Sequence, residues 1–212
     1  MHVFRKFQRM LIESSMAYAK WDLETSTRIL RSRKRLAIEP YPTELEREIT
    51  IDDGRRLKVR PIRPEDEPRL VEMVNRSSPQ DVRLRFLGAL KVFPHLMAAR
   101  MSQIDYDREM ALVAVDERPD PGEGEILGVS RIVATPENDI AEFAVMVRSD
   151  VKGRGLGYQL MQGILASARR KGIKTVVGDV LPENTTMLKM AQELGFTRVH
   201  SDYDAVRISL TL

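Results

Sequence analysis

The stretch from Ile140 to Gly172 limits the possible folds most. From Ile140 to Arg148 the side chains alternate: Ala141, Phe143, Val145 and Val147 form a uniformly apolar row, while Ile140, Glu142, Ala144 and Met146 share the other face. This predicts a strand with one face in the core and a single acid on the other. Lys152-Gly153-Arg154-Gly155-Leu156-Gly157 follows and runs into an amphipathic helix carrying Leu156, Leu160, Met161, Ile164, Leu165 and Ala168. Arg169, Arg170 and Lys171 suit that helix's negative end, and Gly172 suits its cap. A glycine-rich turn between strand and helix aims several amides and a positive helix end at one spot, which favours a phosphate or pyrophosphate. It is not a Walker A loop, because no Gly-Lys-Ser/Thr follows, and the glycine spacing is not that of a Rossmann turn. From these residues alone, a plain tight turn stays open beside the phosphate loop.

The flanking sequence extends the pattern. Ile49 to Ile51 and Leu57 to Ile62 surround Asp52-Asp53-Gly54, a hairpin signal. Helices are predicted from Pro64, from Ser78 (with Val82, Leu84, Phe86 and Leu87) and over Phe93 to Ile104. Strands are predicted at 110–115, 125–134 and 140–148, the second after a turn at Pro119 to Gly124. After the central helix come a strand at 175–181, a helix at 184–194 and strands at 196–202 and 205–212. This order predicts an α/β or α+β fold with one mixed sheet flanked by helices.

The charge is divided unevenly. Residues 1–36 hold nine Lys/Arg and three acids, leaving 25 basic and 28 acidic residues in the rest, so a net charge of +3 averages a basic arm and a slightly acidic body. Such a total gives no case for nucleic-acid binding. Phe4, Phe7, Leu11 and Tyr18 fall near one helical face, and Glu39-Pro40-Tyr41-Pro42 stops any helix. We therefore expect a basic helical arm and linker at 1–42 and one domain at 43–212. The arm could pack on the body or on a second copy, forming a homo-oligomer. It could also meet a partner or an anionic membrane, or serve as a transit peptide. The longest apolar run, Met110 to Val115, is far short of a membrane span of ~20 residues. A soluble, cytoplasmic protein is expected. Cysteine is absent and the three histidines are scattered, which removes thiolate ligands and acyl-Cys chemistry and points to no metal site.

The glycine segment resembles motif A of the GNAT superfamily of acyl-CoA-dependent N-acetyltransferases, Q/R-x-x-G-x-G/A. Gly155 and Gly157 meet the pattern and Gly153 is a frequent extra, but Lys152 stands where Gln or Arg is usual. A lysine keeps the charge and loses the guanidinium fork. Asn184 with Leu194-Gly195-Phe196 is similar to motif B. Arg60-Pro61-Ile62-Arg63-Pro64-Glu65-Asp66, Gln103 to Ala111, Glu125 to Val129, Ala141 to Val145 and Val147 to Asp150 resemble bacterial Pat-type protein lysine acetyltransferases. Arg35 to Pro42 resembles the junction in those chains between an acyl-CoA synthetase-like part and the transferase.

The resemblance implies a GNAT fold: a mostly antiparallel mixed sheet with a splayed central strand pair. It implies acetyl-CoA as co-substrate, a protein lysine as acceptor and an acyl-CoA synthetase as a candidate partner. The amides from Lys152 through Gly153, Arg154, Gly155 and Leu156 to Gly157 would hold the CoA pyrophosphate. The backbone of Met146, Val147 and Arg148 would pair with the pantetheine, and Asn184 would lie beside its thiol end. Glu142 would be the general base, where the residues alone allow a solvated surface acid. The chemistry needs a base: with an amine pKa near ~10.4, only about 0.04% of lysine is neutral at pH 7, a cost of about 4.6 kcal/mol. An apolar wall around Glu142 would raise its pKa toward a useful value. The Tyr that many GNAT enzymes carry seven residues after the motif B Asn is Ala191 here, so that solvent or a group such as Tyr106 protonates the thiolate, or the step needs no acid. Asp105, Asp107 and Glu109 form either a solvated loop or a negative rim for a cationic acceptor. Arg131 and Arg148 could touch phosphates or balance acids. A small amine or protein N-terminus as acceptor, or a non-catalytic acyl-CoA sensor, are the rival functions.

Overall fold

A computed structural model describes residues 39–117, 124–199 and 204–212. The expected N-terminal helix and any contact between copies through it lie outside these residues, as do most of the turn at 119–124 and the end of the strand expected at 196–202. The chain opens with β1 (Arg47–Thr50) and β2 (Arg56–Pro61), paired antiparallel around Asp52-Asp53-Gly54. Gly54 takes φ 84°, which the turn requires and a side chain would resist. Three helices follow: α1 (Glu67–Asn75), α2 (Pro79–Phe86) and α3 (His95–Ser102). The start at Pro64 is a 3-10 turn that passes into α1. In α2 the Ser78 hydroxyl accepts from the Asp81 amide at 3.1 Å, with Pro79 in the first turn, so the sequence signal acts as a cap.

Three strands then run β3 (Glu109–Asp116), β4 (Glu125–Ala134) and β5 (Ile140–Val147). They are followed by α4 (Leu156–Arg170), β6 (Thr175–Val180), α5 (Thr185–Glu193), β7 (Thr197–Val199) and β8 (Val206–Thr211). The result is one open eight-stranded sheet in the order β1-β2-β3-β4-β5-β6-β8-β7, antiparallel except between β5 and β6. Alternation along each strand divides the core. Met110, Leu112 and Ala114 of β3 join Phe143, Val147, Leu160, Ile164 and Met187 beneath α4 and α5. Ala111, Val113 and Val115 join Val129, Met146, Leu70, Phe86 and Met101 beneath α1, α2 and α3. The fold is thus a mixed α/β sheet with helices on both faces.

The centre of this sheet is split. β5 and β6 pair only through Ile140, Glu142 and the residue between them, opposite Thr175 to Val177. Beyond Glu142, β5 stays with β4 as far as Val147 opposite Gly128, while β6 stays with β8. A slot therefore opens between two strands that are each fully paired on their other side.

Candidate active site

The β4–β5 register decides which backbone groups line the slot. The Arg148 amide donates to the Leu127 carbonyl at 2.9 Å, and the Thr135 amide donates to the Ile140 carbonyl at 2.8 Å. In an antiparallel ladder these bonds recur at every second residue. The even-numbered residues of β5 therefore turn their amides and carbonyls to β4, and Val145 and Val147 turn theirs into the slot. Such an edge must find partners in water or in a ligand.

At the end of β5, Ser149–Val151 form a short 3-10 turn and Gly155 caps α4. Gly153 and Gly155 take φ 72° and 76°. A Cβ at Gly153 would meet nothing within 4 Å, so that side of the loop is open to a ligand. At Gly157 a Cβ would touch Val147 and Met190, which brings α4 close against the slot. Both cations of the loop are already paired. Lys152 meets the Asp81 carboxylate in the first turn of α2, which also accepts from Ser149 Oγ at 2.5 Å. Burial disfavours the Asp81 carboxylate, but the hydrogen bonds from Lys152 and Ser149 outweigh this and hold its pKa low. Arg154 pairs with Asp53 of the hairpin turn at 2.5 Å, and the Asp52 amide donates to the Arg154 carbonyl at 3.2 Å. The loop is clasped between α2 and the β1–β2 hairpin.

Glu142 stands at the last paired position before the slot opens, half-buried. The register puts it on the same face as Val133 of β4 and Glu109 of β3, with Arg131 diagonally opposite. On β5 itself this face is apolar apart from Glu142, but the expected apolar wall is interrupted by its neighbours. Arg131 is 7% exposed and donates to Glu109 at 2.9 Å and to the Met101 carbonyl. Arg85 of α2 lies within electrostatic reach of Glu142 and Arg131. Glu109 is therefore engaged by Arg131, and Asp105 accepts from the Asp107 amide at 3.0 Å.

Other expected residues hold defined places. The Arg148 side chain binds Glu125 at 2.8 Å and Asp150 at 2.7 Å. Asn184 follows the end of β6 and caps α5, accepting from the Met187 amide at 3.2 Å. The Tyr106 hydroxyl donates to the Ile62 carbonyl at 2.5 Å, and burial, more than any other cause, raises its pKa. Ala191 lies on the buried face of α5 and joins the core. Concavities of about 410 and 640 Å³ lie elsewhere, one at the β1–β2 turn and one between α5 and the β7–β8 edge. Nothing in the sequence marks Asp81 and Asp53 as holding the glycine loop or Arg85 as coming near Glu142. Each acts across a contact distant in the chain, for which periodicity offers no signal.

Comparison with known proteins agrees with this geometry. The profile of the acetyltransferase (GNAT) domain matches residues 56–197. An acetyltransferase of Pseudomonas aeruginosa is 33% identical over 159 residues, covering 75% of this chain and 84% of that one. Acetyltransferase Pat of Mycolicibacterium smegmatis is 27% identical over 180 residues, covering 84% of this chain and 51% of the relative, so the chain spans about half of that protein. The crystal structure of the GNAT domain of S. lividans PAT superposes with a TM-score of 0.73 at 29% identity, covering 81% of this chain and 99% of that domain. GNAT acetyltransferases use acetyl-CoA, a ligand whose pyrophosphate and amide-bearing arm suit a glycine loop beside an open strand edge. With the profile matching most of its length and a one-third identical relative aligned over most of both sequences, this protein belongs to the GNAT acetyltransferase family.

Proposed function

We propose that this GNAT acetyltransferase transfers acetyl from acetyl-CoA to a lysine ε-amine of a protein, with Glu142 as general base. One observation carries the reading: Glu142 occupies the mouth of the slot, on the strand whose open edge faces that slot. The resemblance to Pat-type enzymes along the body supports lysine as the acceptor. The amides of Lys152 to Gly157, where Gly153 is open to a ligand, would take the pyrophosphate. The backbone of Val147, with Val145, would extend the β5 ladder onto the pantetheine, between Met146 and Arg148, whose own amides face β4. Asn184, at the C-terminal end of β6, would border the arm's far end.

The steps balance without a covalent enzyme intermediate. The acceptor ammonium gives one proton to Glu142, directly or through one water, and Glu142 passes it to solvent. The neutral nitrogen attacks the thioester carbonyl, forming the C–N bond. Slot amides stabilise the oxyanion. The nitrogen gives its second proton to the again ionised Glu142 or to solvent, the C–S bond breaks, and the thiolate takes a proton from solvent, giving the acetamide and free CoA. The Tyr106 hydroxyl is committed to Ile62, so solvent is the proton source in this scheme.

Glu142→Gln is expected to lower kcat by ~10²–10⁴ while CoA still binds. Acetyl-lysine mapping in a lysate treated with acetyl-CoA should show sites that the variant loses. More than half of wild-type kcat in Glu142→Gln would refute the assignment.

A further inference from the structure

A half-buried cation on α2 lies within electrostatic reach of the base. Arg85 lies in the last turn of α2, its guanidinium 5.0 Å above the Phe86 ring. Among the described residues it makes no hydrogen bond or ion pair, though Glu142 and Arg131 lie within its electrostatic reach. Burial, then repulsion from Arg131, brings its pKa down to about 10, and the Glu142 charge works the other way; it is still a cation at neutral pH. Arg131 is equally unusual. Two edges of its guanidinium are bound by Glu109 and Met101, and its Nε is buried with no hydrogen-bond partner among the described residues. Among the described residues, the Arg85 guanidinium and the Arg131 Nε are thus left without an acceptor. Removing such groups from water without an acceptor is costly, so the site is built for an incoming anion.

The position of Arg85 indicates which anion. The α2 helix packs along β5, with Asp81 at the glycine loop and Arg85 at Glu142. From Glu142 to Val147 the strand advances about 17 Å. The CoA phosphates at the loop therefore lie at the far end of β5 from Arg85. What reaches Arg85 is part of the molecule whose amine reaches Glu142.

Resting on the proposed lysine transfer, we infer that Arg85 is a specificity residue that binds a carboxylate beside the acceptor lysine, so that the preferred substrates are lysines flanked by Asp or Glu. The ammonium meets Glu142 and the neighbouring carboxylate meets Arg85, with Arg131 as fixed positive background. This separates the roles that an acidic rim would have merged: one acid takes the proton, and the surrounding cations read the substrate's charge.

The test uses the full chain, acetyl-CoA and peptides with one lysine, in which Glu or Gln is placed in turn at the flanking positions. At the best position, wild type should prefer Glu over Gln by about tenfold in kcat/KM, mainly through KM, the size expected for one charge-assisted hydrogen bond. Arg85→Gln and Arg85→Met should bring that ratio close to one, and Arg85→Lys should restore part of it. Each ratio is taken within one protein, so a general loss of activity does not affect it; circular dichroism confirms folding. A wild-type ratio near one at every position, a ratio that survives Arg85→Gln, or free glutamate outcompeting every peptide would overturn the inference. If no peptide is acetylated in a Glu142-dependent way, the lysine-transfer reading itself fails, a result distinct from acetylation without acidic preference.

Discussion

A Cβ on Gly178 would fall inside the van der Waals radius of the Phe143 ring. Gly178 follows Val177, the last β6 residue paired with β5, and Phe143 follows Glu142 on the other strand. The ring, packed at 5.1 Å against Phe196, occupies the place where a β6 side chain would otherwise stand. The strands therefore diverge around a large side chain set against an absent one, and Glu142 sits at the fork. Gly178→Ala should destabilise the protein by about 1–3 kcal/mol, the usual penalty for overpacking, read as a shift of the urea midpoint. In a Phe143→Leu background the same change should cost clearly less, because the two residues touch. Additive costs would mean that the ring is not the obstacle. The sequence showed Phe143 as core and Glu142 as the lone acid of its face, since period two reveals faces. It could not show that Arg85 lies within electrostatic reach of Glu142 or that Arg131 stands diagonally opposite it, because that depends on α2 and β4 arriving from elsewhere in the fold.

At the scale of elements, the glycine loop is held by its neighbours rather than by its own geometry. Lys152 ties it to α2, and Arg154 ties it to the β1–β2 hairpin. Hydrogen bonding from Arg55 first, then its charge and the bond from Arg154, brings the Asp53 carboxyl down to about 2. An Asp that titrates near ~3.9 unfolded and about 2 folded contributes stability above the unfolded value and loses it as pH falls through the folded one. Wild type should therefore exceed Asp53→Asn in stability by a constant margin from pH 7 to about 5. That margin should shrink between about pH 4 and about 2 in denaturant titrations, whereas a widening margin on acidification would contradict the pairing of Asp53 with Arg55 and Arg154. The hairpin was readable from Asp-Asp-Gly and the caps from Ser78 and Asn184, because turn and cap chemistry is local. The insertion of β8 between β6 and β7 was not, since strand order depends on which edges meet after collapse.

For the whole molecule, the sheet consists of two paired blocks, β1 to β5 and β6 to β8, joined by three residue pairs. One core continues across the join, from Leu57 and Leu112 through Phe143 and Leu160 to Val176 and Ile208. Apolar packing under α4 thus holds the blocks together while their backbones part. An uninterrupted sheet would leave no slot, and without the shared core the two blocks would separate. Hydrogen exchange can test this arrangement residue by residue. In the ligand-free protein the Ala144 and Met146 amides, committed to β4, should exchange slowly, and those of Val145 and Val147, turned into the slot, should exchange much faster. Adding CoA should slow Val147, and Val145 where the arm reaches it, while leaving Ala144 and Met146 almost unchanged. Uniform protection along β5 before CoA is added would mean that the slot is closed in solution. Slowing spread evenly over the strand on CoA binding would point to global stabilisation rather than a ligand completing the ladder at its open edge.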